Sequence, residues 1–277
     1  MGALIMTNPA VNFLALALYL CVGLLLGLRL ARGETITGGV KIGIFGLGLG
    51  AITLHALLLY TGLWREGGVN LALTPAFSLV AWVVAVLYLF ASISRPVDNL
   101  GILIMPFTGF MLLIEWLWPG RMSLPLTSHW QAAHISVSIL AYSLLSLATV
   151  QSLMLLVQER HLRSKHPGGF IRALPPMQTM ESLMFQMIGV GFMLLTLTLV
   201  SGVFFSELLF SQPLKFTHHM VLAVLAWVVY AILLVGRWRL GWRGRTAVHW
   251  TLGGFVLLIL AYFGSKFVLE VLLNRPG

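Results

Sequence analysis

Unbroken apolar runs recur along the whole chain, separated by short polar connections. Eight stand out, at about 10–30, 40–62, 71–93, 98–118, 130–157, 180–205, 217–236 and 248–271. At about 1.5 Å of rise per residue, each is long enough as a helix to cross a hydrocarbon core of about 30 Å. The pattern predicts an all-α fold: a polytopic membrane helix bundle with eight transmembrane helices, forming one integral-membrane domain over residues 1–277. A β-barrel requires short strands that alternate apolar and polar residues, and the runs here do not alternate. The longest connection, roughly 158–179, contains ERHLRSKHPGGFIRALPPMQT, with Gly168, Gly169, Pro175 and Pro176 as breakers. No segment reads as a soluble domain.

Composition sharpens this picture. The chain is 59% hydrophobic and 9% charged, with a mean hydropathy of +0.95. Its net charge is +9. Excess positive charge in a soluble protein would point to nucleic acid. Here the basic residues fall in short loops, so the expected partner is the lipid bilayer and no nucleic acid is expected. Twelve lysines and arginines lie on one side: Arg29, Arg32, Lys41, Arg95, Arg160, Arg163, Lys165, Arg172, Arg237, Arg239, Arg243 and Arg245. Five lie on the other: Arg65, Arg121, Lys215, Lys266 and Arg275. Cationic loops stay cytoplasmic, which predicts both termini on the outer, periplasmic side of a bacterial inner membrane. Tryptophans 64, 116, 118, 130, 238, 242 and 250 fall near span ends, as an interfacial aromatic belt requires.

Several chemistries are excluded. Cys21 is the single cysteine, with no intrachain partner and no CxxC pair, so thiol redox chemistry is not expected. The start, MGALIMTNPA, lacks a basic n-region, so the first run reads as a retained span. No phosphate loop, HExxH, GxSxG or catalytic carboxylate pair occurs, so the chain is not expected to be an enzyme. The second run begins GGVKIGIFGLGLGAITLH, whose Gly39/Gly43 and Gly46/Gly50 pairs predict close helix approach.

The chemistry that remains is histidine chemistry. The stretch SHWQAAHISVSILAYSLLS, residues 128–146, is apolar enough for a membrane yet keeps His134. Burying a polar side chain without a partner costs several kcal/mol, so this residue needs a partner, a cavity or a ligand. At about 100° per residue, Gln131, His134 and Ser138 share one helix face, with Ala141 and Tyr142 beside it. His55 lies 14 residues beyond Lys41, about 21 Å up its helix and so in the outer half. His134 is about a turn below the same interface, and His218 and His219 begin a span there. A neutral imidazole in such a place can ligate a metal, its second nitrogen held by an acceptor. Lys266 and Glu270, four apart, are expected to pair.

These residues resemble the cytochrome c assembly superfamily of the CcsA type, in its HemX/YpjD-like branch. The resemblance is carried by HISVSILAYSLLSL (134–147), LPPMQTMESLMFQMIGVGFMLLTLTLVSGVFF (174–205), AWVVYAILLVGRWRLGWRGR (226–245) and GGFVLLILAYFGSKF (253–267), and it covers most of residues 130–270. It implies a membrane protein that binds, escorts or presents heme b and works beside other membrane cytochrome c assembly proteins. It further implies His55 and His134 as ligands of the heme iron, with His218 or His219 as a replacement ligand from the same face. The chain departs from the family at three places. The tryptophan-rich delivery segment, expected at about 202–220, reads SGVFFSELLFSQPLKFTHHM; Val235 stands where the family has a histidine; and the histidine expected after the last span is missing, where the sequence reads LNRPG. Two other readings follow from these departures and from composition. One is a heme-free structural or regulatory partner, with both histidines satisfied by protein hydrogen bonds and no cavity between the second, fifth and seventh spans. The other is a small-molecule transporter, which would carry inverted repeats.

Overall fold

The structure, a computed structural model, describes all residues except 1–8, 35, 37, 66–67, 121, 123, 126–127, 164–173, 205–217 and 274–277, and describes Arg65 and Phe204 by backbone alone. Lys165, His166, Gly168, Gly169 and Arg172 of the basic connection lie outside the described residues, as do Arg121, Lys215, Arg275 and most of the stretch expected to hold a tryptophan-rich segment.

Every expected span is a helix. They are α1 (Pro9–Ala31), α2 (Gly38–Leu63), α3 (Leu73–Ser94), α4 (Asp98–Leu117), α5 (His129–Arg163), α6 (Met177–Phe204), α7 (His218–Leu240) and α8 (Gly244–Ile259). The last helix continues to Leu272 through two π-helical stretches, Leu260–Gly264 and Val268–Leu272. All eight are long and apolar enough to cross a membrane. A short antiparallel hairpin, β1 (Trp64–Arg65) and β2 (Gly68–Val69), joins α2 to α3.

The helices form two groups of four. In the front group, α1 lies along α4 and α2, while α3 fills the remaining side against α2 and α4. Small residues set these distances. A Cβ on Gly23 of α1 would run into the Pro106 ring of α4, and one on Gly101 would run into Tyr88 and Leu26. At Gly109 it would meet Tyr19 Cβ at 3.0 Å. Close backbone approach of this kind replaces the hydrophobic drive that lipid removes. The glycine pairs expected to do this work do not. Added Cβ atoms at Gly39, Gly43 and Gly46 would meet nothing within 4 Å, and Gly50 meets only Leu18 at 3.7 Å. Gly48, on another face of the same helix, is the packed one, with Leu89 Cδ1 at 3.0 Å.

In the back group, α5 packs along α6 and also touches α8, α3 and α4, so this longest helix joins the two groups. Ion pairs tie the basic ends together. Glu159 takes Arg163 at 2.8 Å and Arg245 at 3.0 Å. Glu181 takes Arg237 at 2.6 Å. The back group closes less tightly: α6, α7 and α8 bury 28, 22 and 17% of their apolar windows, against 33 to 44% in α1–α4. Trp64, Trp118, Trp130 and Trp238 are exposed, as an interfacial belt requires. Trp242 and Trp250 instead pack on each other, ring centroids 5.3 Å apart.

Candidate functional site

The two intramembrane histidines meet opposite surroundings. His55 on α2 is fully buried. Its Nδ1 lies 3.1 Å from the Tyr19 hydroxyl of α1 and its Nε2 lies 2.9 Å from Ser78 Oγ of α3. One polar side chain from each of α1, α2 and α3 therefore joins a single chain. A neutral imidazole carries one N–H and one lone pair, so one of these hydroxyls accepts from the ring and the other donates to it.

His134 on α5 lies on the wall of a cavity of about 620 Å³ between α3, α5, α6, α7, α8 and the α4–α5 connection. The helix face read from the sequence is the one presented: Gln131, His134, Ser138 and Tyr142 all line the space. The His134 Nδ1 is 2.7 Å from Ser201 Oγ of α6. Ser138 donates to the His134 carbonyl at 2.7 Å and approaches Thr198 of α6 at 3.4 Å. Gly202 completes that wall, where a Cβ would touch His134 Cε1 at 3.5 Å. His219 lines the same cavity from α7. His218 and His219 are both exposed, but His218 is not on the wall, since adjacent helical residues point about 100° apart. His55 is not on the wall either. The structure thus brings His134 and His219 to one cavity and keeps His55 and His218 out of it.

The remaining wall comes from the π-helical turn of α8, which presents Ala261, Tyr262 and Phe263, and from Lys266 just beyond it. A π turn widens the helix and disturbs its regular bonding, and such turns gather at functional sites. Side chains from elsewhere fasten this one. Tyr142 donates to the Leu258 carbonyl at 2.9 Å, and Tyr262 donates to the Leu71 carbonyl at 3.1 Å. Phe263 stacks on Phe77 of α3, centroids 3.6 Å apart. The roof is the connection after α4. Asn70, almost fully buried, donates to the Gly120 carbonyl at 2.8 Å and accepts from Met122 N–H at 3.0 Å. That clasp sets Met122 and Leu124 over the space. Sequence reading missed Thr198, Ser201 and Gly202; a strip of small and hydroxyl residues on α6 was the available signal.

Among the described residues, no group of three or more His, Cys, Asp or Glu side chains could hold a metal ion. The donor set suits a different ligand. A porphyrin brings its own four nitrogens and asks the protein for one or two axial side chains in an apolar slot. The cavity has two histidines, aromatic walls and a volume within the roughly 300–1,000 Å³ usual for ligand sites.

Fold and site together define a class: an integral, multi-pass helical bundle of the inner membrane with a ligand-sized cavity near one end. The family described as Cytochrome C assembly protein matches residues 47–273, and the chain belongs to it. It is 34% identical over 230 residues to inner membrane protein YpjD of Escherichia coli (strain K12), covering 80% of this chain and 84% of that protein. It is 27% identical over 237 residues to cytochrome c biogenesis protein CcsA of Chlamydomonas reinhardtii, covering 80% of this chain and 65% of that one. Protein HemX of Brevibacillus brevis is 24% identical over 139 residues, half of each chain (50% and 51%). Membership supports a role in cytochrome c biogenesis.

Proposed function

We propose that the protein binds heme in the cavity of the back group and holds or escorts it for cytochrome c assembly, without covalent chemistry of its own. His134 would ligate the iron through Nε2, because Ser201 holds Nδ1 and so orients the ring. His219 would ligate from α7. The bound iron would supply the Lewis-acid centre these nitrogens recognise. The carrying observation is that both histidines line one largely apolar cavity of about 620 Å³. In this reading His55 organises the front group and is not a ligand. The ion pairs of Glu159 and Glu181 lie at the basic, cytoplasmic end, so the cavity and both termini lie toward the periplasm. Handing heme onward then depends on other membrane assembly proteins.

The test is an absorption spectrum of the purified protein, oxidised and reduced, before and after adding heme. A Soret band is expected, weakened and shifted in His134→Ala and His219→Ala and unchanged in His55→Ala. Protein that remains colourless after heme is added would overturn the proposal in favour of a heme-free partner role.

A further inference from the structure

Among the described residues, one lysine lines the cavity, and its bonding is incomplete. Lys266 projects from the turn after the first π stretch of α8, its side chain only 12% exposed. An ammonium has three donors to place, and leaving them unplaced away from water is costly. Among the described residues, two partners meet it. Met122 Sδ accepts at 2.7 Å, but a thioether is a weak acceptor. Glu270 Oε1 stands 3.5 Å away, beyond the roughly 2.7–2.9 Å of a charge-assisted bond.

The carboxylate is held back by a second attachment. Glu270 Oε2 accepts the Leu73 backbone N–H at 3.0 Å, at the start of α3. Unpaired amides and the helix dipole both favour a negative charge there. Glu270 Oε1 is correspondingly buried with no hydrogen-bond partner. Glu270 therefore offsets the lysine's charge without filling its donors. The cation is also in the right place. Lys266 and His134 each lie within roughly two turns of the same end of the bundle, on different walls of one cavity.

We infer that Lys266 anchors a free carboxylate of the cavity's ligand, so that the site takes the dicarboxylate form of a porphyrin and discriminates against its ester. This rests on the porphyrin reading above. It adds a specificity determinant outside the histidine set: an anionic oxygen would displace the thioether contact and complete the ammonium's bonding.

The test titrates hemin and hemin dimethyl ester into the purified full-length protein and follows the Soret band. Wild type is expected to bind hemin about tenfold more tightly than the ester, the scale of one charge-assisted hydrogen bond. Lys266→Gln should bring that ratio close to one, and Lys266→Arg should keep most of it. His134→Ala should change the band without changing the ratio. Equal affinities in wild type, which need no variant, would overturn the assignment of Lys266 and leave the porphyrin reading standing. A ratio that survives in Lys266→Gln would do the same. If neither porphyrin binds, both fall.

Discussion

The front and back groups of helices each hold a histidine at comparable depth, and they treat it in opposite ways. Around His55 the helices close completely. Gly23, Gly101 and Gly109 let α1, α3 and α4 approach until no space remains, and Tyr19 and Ser78 occupy both ring nitrogens. Around His134 the helices stand apart. Ser201 Oγ meets its Nδ1, and the ring lies on the wall of a space large enough for a cofactor. A histidine in a membrane can therefore be a rivet or a candidate ligand. The difference lies in the neighbouring helices, not in the residue. The front group resembles an interior packed to full density, whereas the back group keeps a void, a π turn and a weakly bonded cation, all of which cost stability.

The contrast can be broken from either side. The largest effect is expected from Gly23→Leu. Even its Cβ would enter the Pro106 ring, and overpacking a tight helix contact costs several kcal/mol, about 3 or more. The protein should fail to elute as a single species from a sizing column in detergent. Next is His55→Ala, which strands the Tyr19 and Ser78 hydroxyls in a dry interior. A loss of about 2–4 kcal/mol is expected, read as a lowered thermal midpoint with the heme band of the added ligand unchanged. A changed band would end the distinction between the two histidines. Asn70→Ala removes the clasp of the roof. It should cost about 1–3 kcal/mol locally, seen as faster hydrogen exchange at Gly120, Met122 and Leu124 and quicker loss of bound heme.

Gly202→Phe sharpens the contrast from the other side. Its side chain would grow from the wall beside His134 into the space, so stability should change by less than about 1 kcal/mol while heme uptake drops at least tenfold. The smallest effect is expected from His218→Ala. An exposed residue off the wall should change stability by no more than about 0.5 kcal/mol and leave the spectrum alone, unlike His219→Ala.

Much of this was legible in the residues alone. The apolar runs predict all eight spans to within about four residues at every end except the last turns of α5, which runs on to Arg163. The polar face of α5 follows from helical period, and Gln131, His134, Ser138 and Tyr142 do share the cavity. The pairing of Lys266 with Glu270 follows from their spacing of four. The glycines of α2 show where such reading stops. A small-xxx-small pattern says that a face could accept another helix, and Gly39, Gly43 and Gly46 have none against them. Gly23, Gly101 and Gly109 make the close contacts, and no repeat marks them.

What the sequence by itself determined is the class of molecule: hydropathy, span length and the distribution of charge require a membrane helix bundle, because lipid leaves the backbone no other way to satisfy its hydrogen bonds. It also determined the family and the short roll of histidines that are candidate ligands. Only the tertiary structure decided which histidine faces a cavity and which is locked between neighbours. That choice depends on how far apart helices distant in sequence come to rest. The distance is set by a glycine under a proline ring in one group, and by a π turn fastened by Tyr142 and Tyr262 in the other. No local pattern encodes those spacings, since each is made by residues that meet only when the bundle is assembled.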